Sequence, residues 1–254
     1  MLSQVTAVRY VVPLREGGSL PAIVDVEPEG QFVVKFRGAG QGPKALVAEA
    51  LAATLARVLG LPVPDAVMVS LDAAFGRGEP DPEIQDLLRA SEGANFGLRY
   101  LPGALGYDLV ADRGALAKET AADIVWFDAL ITNVDRTPRN PNLLTWQGKV
   151  WLIDHGASLY FHHAGGDWTA KAQSAFPQVR DHILLRRCGP LPDADARMRP
   201  LLTDAALAEA VANLPEEWLA GDAAEQRAAY HAYLRARLDG ERAWVDEAER
   251  ARRG

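Results

Sequence analysis

Residues 5–12 (VTAVRYVV), 21–26 (PAIVDV) and 31–36 (QFVVKF) alternate apolar and polar positions, which predicts three strands, with Glu27-Pro28-Glu29-Gly30 as the turn joining the last two. The expectation is an antiparallel three-strand start. From Pro43 to Leu59 the apolar period lengthens to that of a helix: Leu51, Leu55, Val58 and Leu59 share one face, and Gly60 and Pro62 end it. Residues 65–71 (DAVMVSL) and 95–101 (NFGLRYL) predict a fourth and a fifth strand, separated by an acidic stretch and a short helix running to Ala90. Pro102-Gly103 then marks a turn and a boundary.

Beyond that boundary the pattern is mainly helical. Residues 115–131 are apolar around most of the helical circumference, which predicts a buried helix. Residues 143–146 and 150–153 read as two short strands around Gln147-Gly148-Lys149. From Ala175 onward helix is expected again: Asp204 to Asn213, a helix opened by Pro215, and a stack of Tyr230, Leu234 and Leu238. The arginine-rich tail from Arg250 to Arg253 is expected to fray.

Composition narrows the class. The 254 residues are 48% hydrophobic and 24% charged, as in an ordinary soluble protein, with no apolar run long enough to span a bilayer and no signal-peptide pattern after Met1. A single cysteine, Cys188, rules out an internal disulfide framework, and the cytoplasm is the expected location. The net charge of −7 argues against a nucleic-acid binder. Five arginines between Arg180 and Arg199 form a local exception, either a solvated face or a contact for an acidic substrate or nucleotide.

Candidate chemistry concentrates between Asp128 and Gly156. Asp135, Asn140 and Asp154 set two acids and an amide at the ends of short elements in an otherwise apolar neighbourhood, where uncompensated charge is costly. Oxygen ligands of this kind suit Mg²⁺ in phosphoryl transfer, with a further carboxylate orienting the attacking hydroxyl. The spacing Asp135-x-x-x-x-Asn140 followed by Asp154-His155-Gly156 matches the protein-kinase order of catalytic Asp, metal-binding Asn and metal-binding Asp next to Gly. As plain polypeptide, Asp-Arg-Thr-Pro-Arg-Asn is also a polar turn. Upstream, Lys35 closes an apolar strand and is either solvent-facing or a phosphate-holding lysine paired with Glu49 of the next helix. Gly17, Gly18 and Ser19 form either a flexible turn or a phosphate cradle, and the Gly-rich stretch from Arg37 to Lys44 precedes a helix without a Walker pattern. Asp128 reads as a brace for the loop or as a helix-face charge. His162-His163 lacks a spaced third ligand and is not read as a metal site.

The runs 133–140 (NVDRTPRN) and 152–156 (LIDHG) resemble the active-site segment of the HipA-like kinases and, more distantly, of the phosphatidylinositol 3- and 4-kinases. Where those families commonly have Asp-Arg-His, this chain has Thr137 in the place of His. The resemblance implies an α+β, two-lobed protein-kinase-like fold: a small antiparallel-sheet N-lobe over 1–102 and a mainly helical C-lobe over 103–254. It implies ATP and Mg²⁺ as cofactors, Asp135 as catalytic base or hydroxyl-orienting group, Asn140 and Asp154 as metal ligands, Lys35 on the phosphates, and backbone near Tyr100 and Leu101 at the adenine edge. The implied activity is that of a Ser/Thr protein kinase acting on an unidentified acceptor. The alternatives are a small-molecule or lipid kinase on the same fold, or a non-catalytic nucleotide-binding module.

Overall fold

A computed structural model describes residues 2–14, 20–112, 114–163 and 167–254. The strand-rich N-terminal region consists of β1 (Ser3–Pro13), β2 (Ala22–Glu27), β3 (Gly30–Lys35), helix α1 (Gly42–Val58), β4 (Ala66–Leu71), helix α2 (Pro82–Ala90) and β5 (Gly93–Arg99). The first three strands pair antiparallel, as their alternation predicts. The sheet is not a simple antiparallel one, however. It runs in the order β1-β2-β3-β5-β4 and closes into a barrel through a parallel pairing of β1 with β4, from Ser3 opposite Val67 to Thr6 opposite Ser70. Closure removes the two unpaired edges that an open sheet of this size would leave. Local alternation carries no information about that long-range pairing.

The barrel has its own interior of Val5, Ala7, Val24, Val26, Phe32, Val34, Val67 and Val69, to which α2 adds Ile84 and Leu88. Residues of opposite strand parity, Met68, Phe96 and Leu98, join α1 in a second and larger core. Helix α1 is buried continuously from Ala45 to Ala53, a wider surface than the predicted single stripe, because it packs against β4 and β5 as well as against the helical region. Val58, expected on the buried stripe, is 40% exposed at its end.

The C-terminal region is helical around one buried element. A short sheet of β6 (Leu105–Gly106), β7 (Leu143–Trp146) and β8 (Lys149–Leu152) flanks α3 (Lys118–Leu130), and α4 (Leu191–Met198), α5 (Asp204–Ala212), α6 (Ala223–Asp239) and α7 (Ala243–Arg253) follow. Helix α3 is buried from Ile124 to Leu130 and packs against α4, α6 and α7, with the Trp126 and Trp244 rings 5.5 Å apart. The 3-10 turns Tyr160–His163 and Trp168–Gln173 precede Ala175, and beyond it, where helix is expected, the chain first forms two more 3-10 turns, Pro177–Asp181 and Leu185–Arg187, while Pro215 opens only the 3-10 turn Glu216–Trp218. The tail expected to fray is helical. It is the end of α7, where Glu249 takes both Arg252 and Arg253. No helix among the described residues is long and apolar enough to cross a membrane.

Arg237 of α6 holds the C-terminal end of α3. Fully buried, it donates to the carbonyls of Leu130 (2.7 Å), Ala129 (2.8 Å), Ala172 (3.0 Å) and Ser174 (3.3 Å), and its guanidinium lies 5.2 Å from the Trp244 ring. A cation here satisfies carbonyls that a helix end leaves unpaired and sits at the negative end of the helix dipole. Arg237→Met is therefore expected to lower the free energy of unfolding by about 2–3 kcal/mol, the scale of hydrogen bonds made by a charged group. Urea denaturation with an unchanged m-value checks this, and a variant as stable as wild type would mean that the cap is dispensable.

Candidate active site

Lys35 is the point where the two regions meet. Its Nζ lies between Glu49 of α1, in hydrogen-bond contact with Oε1, and Asp154 after β8, 2.5 Å from Oδ1. The Glu49 side chain is fully buried, whereas Asp154 keeps 43% of its side chain exposed. Burial alone would depress the ammonium of Lys35, but the carboxylates of Glu49 and Asp154 outweigh it and hold its pKa above that of an ordinary lysine. Burial likewise acts to raise Asp154, and Lys35 outweighs it, so the Asp154 carboxyl is held below its ordinary value and is ionised at neutral pH. Burial lifts the Glu49 carboxyl despite Lys35.

The local backbone explains how Asp154 arrives there. Gln147 and Gly148 both have positive φ (50° and 73°), the geometry of a tight two-residue hairpin, and β7 and β8 pair from Trp146–Lys149 back to Leu143–Leu152. Asp154 follows at φ 54°, a left-handed conformation that Asp tolerates better than most residues. At Gly156 a Cβ would come within 3.3 Å of Glu49 Oε1, so a side chain there would press on the Lys35 pair. Between them His155 is buried edge-on to Phe127, its Nδ1 3.9 Å from Glu49 Oε2. Burial, with Arg136 nearby, pushes its pKa down to about 3, so the ring is neutral.

The loop between α3 and β7 is built on a buried charge cluster. Asp128, near the end of α3, accepts from Arg136 Nε at 2.5 Å and from Asn133 Nδ2 at 3.0 Å, and its Oδ2 lies 2.9 Å from His182 Nε2. Arg136 also donates to the carbonyls of Asn142 and Ile153, which ties the loop to both hairpin strands. Burial raises the Asp128 carboxyl, but Arg136 and His182 more than offset it and hold the group well below the carboxylate range. Asp128 is thus the brace of this loop. The chain enters and leaves the loop through left-handed residues, Thr132 at φ 52° and Asn142 at φ 48°.

That brace presents Asp135. Its Oδ2 accepts from Asn140 Nδ2 at 2.8 Å and from Asn142 Nδ2 at 3.3 Å, and its own N–H donates to Asn133 Oδ1 at 3.1 Å. Thr137 Oγ1 accepts from the Asn140 N–H at 3.3 Å, which holds the turn carrying Asn140. The predicted residues fall into two groups: Lys35 touches both Glu49 and Asp154, and Asp135 touches Asn140, whose amide nitrogen goes to Asp135 rather than to Asp154. Tyr100 donates its N–H to Gln31 O at 3.0 Å beside Leu101. Gly17, Gly18 and Ser19 lie outside the described residues. His162 and His163 meet through Nε2 atoms 2.9 Å apart, with Tyr230 on the other nitrogen of His162. Among the described residues no group of three or more His, Cys, Asp or Glu side chains is placed to hold a metal ion by itself.

Sequence reasoning did not find His182, Asn133, Asn142 or Arg136 as parts of the brace. His182 stands 54 residues from Asp128, and no periodic pattern links them.

Comparison with known proteins places these features in context. The model of the HipA-like kinase family matches residues 8–239. The solved structure of a Helicobacter pylori proinflammatory kinase, CtkA, is similar to this chain with a TM-score of 0.62 at 14% sequence identity, covering 99% of this chain and 98% of that one. No curated protein sequence matches.

Proposed function

Because the chain belongs to the HipA-like kinase family, and is a phosphotransferase, we propose that it transfers the γ-phosphoryl group of ATP, with Mg²⁺, to a serine or threonine hydroxyl of a protein. The observation that carries this reading is the Lys35 ammonium held between a buried Glu49 and a half-exposed Asp154. A lysine paired with a helix glutamate is the phosphate-holding arrangement of kinases, and in this reading the second carboxylate, Asp154, is the metal-binding Asp.

In this reading the barrel region (1–102) and the helical region (103–254) are two lobes joined at Pro102-Gly103, where Gly103 has φ 74°. The adenine edge lies along Tyr100-Leu101. Since the Tyr100 N–H is given to Gln31, Leu101 is the backbone donor left for the base. Lys35, steadied by Glu49, binds the phosphates. The donor chemistry fits Mg²⁺: Asp154 is ionised, and Asn140, with its nitrogen committed to Asp135, keeps its amide oxygen for a cation. Bound Mg²⁺ neutralises charge on the phosphates. Asp135, fixed by Asn140 and Asn142, orients the acceptor hydroxyl. The acceptor oxygen forms a bond to the γ-phosphorus as the bond to the β–γ bridging oxygen breaks. ADP departs, and the hydroxyl proton passes by way of Asp135 to water.

Thr137 in the place of the family His leaves the Asp135–Asn140 contact intact, since its hydroxyl supports the same turn. The test is nucleotide titration. ATP is expected to bind about tenfold or more tightly with Mg²⁺ than without it, a difference of about 1.4 kcal/mol, and Asp154→Ala is expected to abolish that difference. Wild-type affinity indifferent to Mg²⁺ would remove the metal assignment.

A further inference from the structure

Beside the catalytic loop lies a cleft of about 610 Å³ whose wall includes Thr137 and Arg139 of that loop, and Arg180, Asp181 and Arg186 from the 3-10 turns that follow. The cleft and the loop are mechanically one piece. Ile183 donates its N–H to Arg136 O at 3.0 Å, and His182, which also lines the cleft, is bonded to Asp128, the brace of the loop. A segment lying in this cleft therefore reaches within two residues of Asp135.

The charge of the cleft is the reverse of that of the chain. Against a net −7 for the whole protein, the lining includes Arg139, Arg180, Arg186 and Arg187, with one acid, Asp181. Arg187 is committed to the wall, donating to Leu109 O. The Arg180 side chain is 74% exposed and lies 3.7 Å from the exposed Asp181, a contact worth little in water. Arg186 has a single long bond, 3.4 Å, to the carbonyl of Arg252, and Arg139 is exposed. Three cations are thus available, on separate elements, and all three are exposed. A cage for one phosphate would need convergent, desolvated donors. Solvated arginines carried by separate elements suit several carboxylates distributed along an extended chain and select by electrostatic complementarity.

Building on the kinase reading above, we infer that this cleft binds the acceptor, and that the acceptor is a protein segment carrying aspartate or glutamate side chains around the phosphorylated hydroxyl. The chain then selects its substrates by acidity, through Arg139, Arg180 and Arg186. Single-stranded nucleic acid, the other extended polyanion, would use stacking aromatic side chains; the lining holds no Phe, Tyr or Trp, and its one imidazole, His182, is buried against Asp128.

The experiment measures binding and turnover separately. Fluorescence anisotropy of a labelled serine peptide flanked by glutamates, and of its glutamine-flanked twin, is recorded with the full chain and a non-hydrolysable ATP analogue. Wild type is expected to prefer the acidic peptide by about tenfold or more at low salt, with the preference shrinking as salt rises. In the double variant Arg180→Glu, Arg186→Glu the preference is expected to fall to about twofold or less. Both side chains are exposed, and single Arg180→Gln and Arg186→Gln variants give intermediate losses if the double variant folds poorly. Equal binding of the two peptides by wild type, an unchanged preference in the variants, or tighter binding of a single-stranded RNA of matched charge would overturn the inference. Phosphotransfer to the same peptides is measured in parallel: a charge preference in binding without any turnover counts against the kinase reading alone, and turnover without charge preference counts against the cleft alone.

Discussion

Asp135→Asn is expected to reduce phosphotransfer by about 10²-fold or more, the scale of a positioned acid–base group, while ATP affinity changes by less than about tenfold. In a largely dissociative phosphoryl transfer the protein chiefly positions groups and stabilises charge, so a carboxylate that orients the acceptor acts on turnover rather than on nucleotide binding. The asparagine keeps the shape of Asp135, and its amide oxygen still accepts from Asn140 and Asn142, which hold the native carboxylate at 2.8 and 3.3 Å. What is removed is the charge. Turnover of any accepted substrate, autophosphorylation included, is compared for wild type and variant under one set of conditions, and equal rates would take Asp135 out of the mechanism.

The second large effect is on stability. Asp128→Ala leaves the buried guanidinium of Arg136 without its counter-charge and strips a partner from His182 and from Asn133. Breaking a buried pair by removing one member costs about 3–5 kcal/mol, because the surviving charge stays desolvated. The same cluster sets a pH dependence. Asp128 is held below its ordinary value, so the folded state binds its proton less readily than the unfolded chain does. Its contribution is complete above the ordinary aspartate value of 3.8 and is lost as the pH falls from there toward the lower folded-state value. Denaturation between pH 7 and pH 3 should therefore show a gap between wild type and Asp128→Ala that narrows toward acid. A gap that widens toward acid, or stays below about 1 kcal/mol throughout, would contradict the assignment of Asp128 as a charged brace.

Most elements of this fold could be read from the chain because their apolar periods are local. Five barrel strands, α1, α3 and the β7–β8 hairpin all lie within a few residues of their expected places. What could not be read depends on distant pairing. The parallel β1–β4 ladder joins residues 64 apart, Ser3 and Val67, and two antiparallel neighbours give no hint of it. The stretch from 160 to 187 lacks a steady period, and its 3-10 turns follow the surface of α6 and α7 rather than any propensity. At the site, Lys35 and Glu49 were recognisable by their order along the chain, a lysine ending a strand and a glutamate on the next helix. The contact of Lys35 with Asp154 spans 119 residues and depends on the β7–β8 hairpin, which is tied to the segment after α1 by Leu152 N–H on Pro62 O at 2.7 Å. The brace escaped notice for the opposite reason: Arg136 reads as part of a polar turn, yet it is one of the most buried large side chains in the protein.

In the proposed function the two clusters act together, Lys35 with Asp154 on the nucleotide and Asp135 on the acceptor. Incubating the full chain with ATP labelled at the γ-phosphate and following the label tests this. With Mg²⁺ present, label is expected to pass to serine or threonine of an acidic protein or of the kinase itself, and chelating the metal is expected to stop the transfer. ATP bound by the wild-type protein in the presence of Mg²⁺, with no label reaching any hydroxyl acceptor, would contradict it.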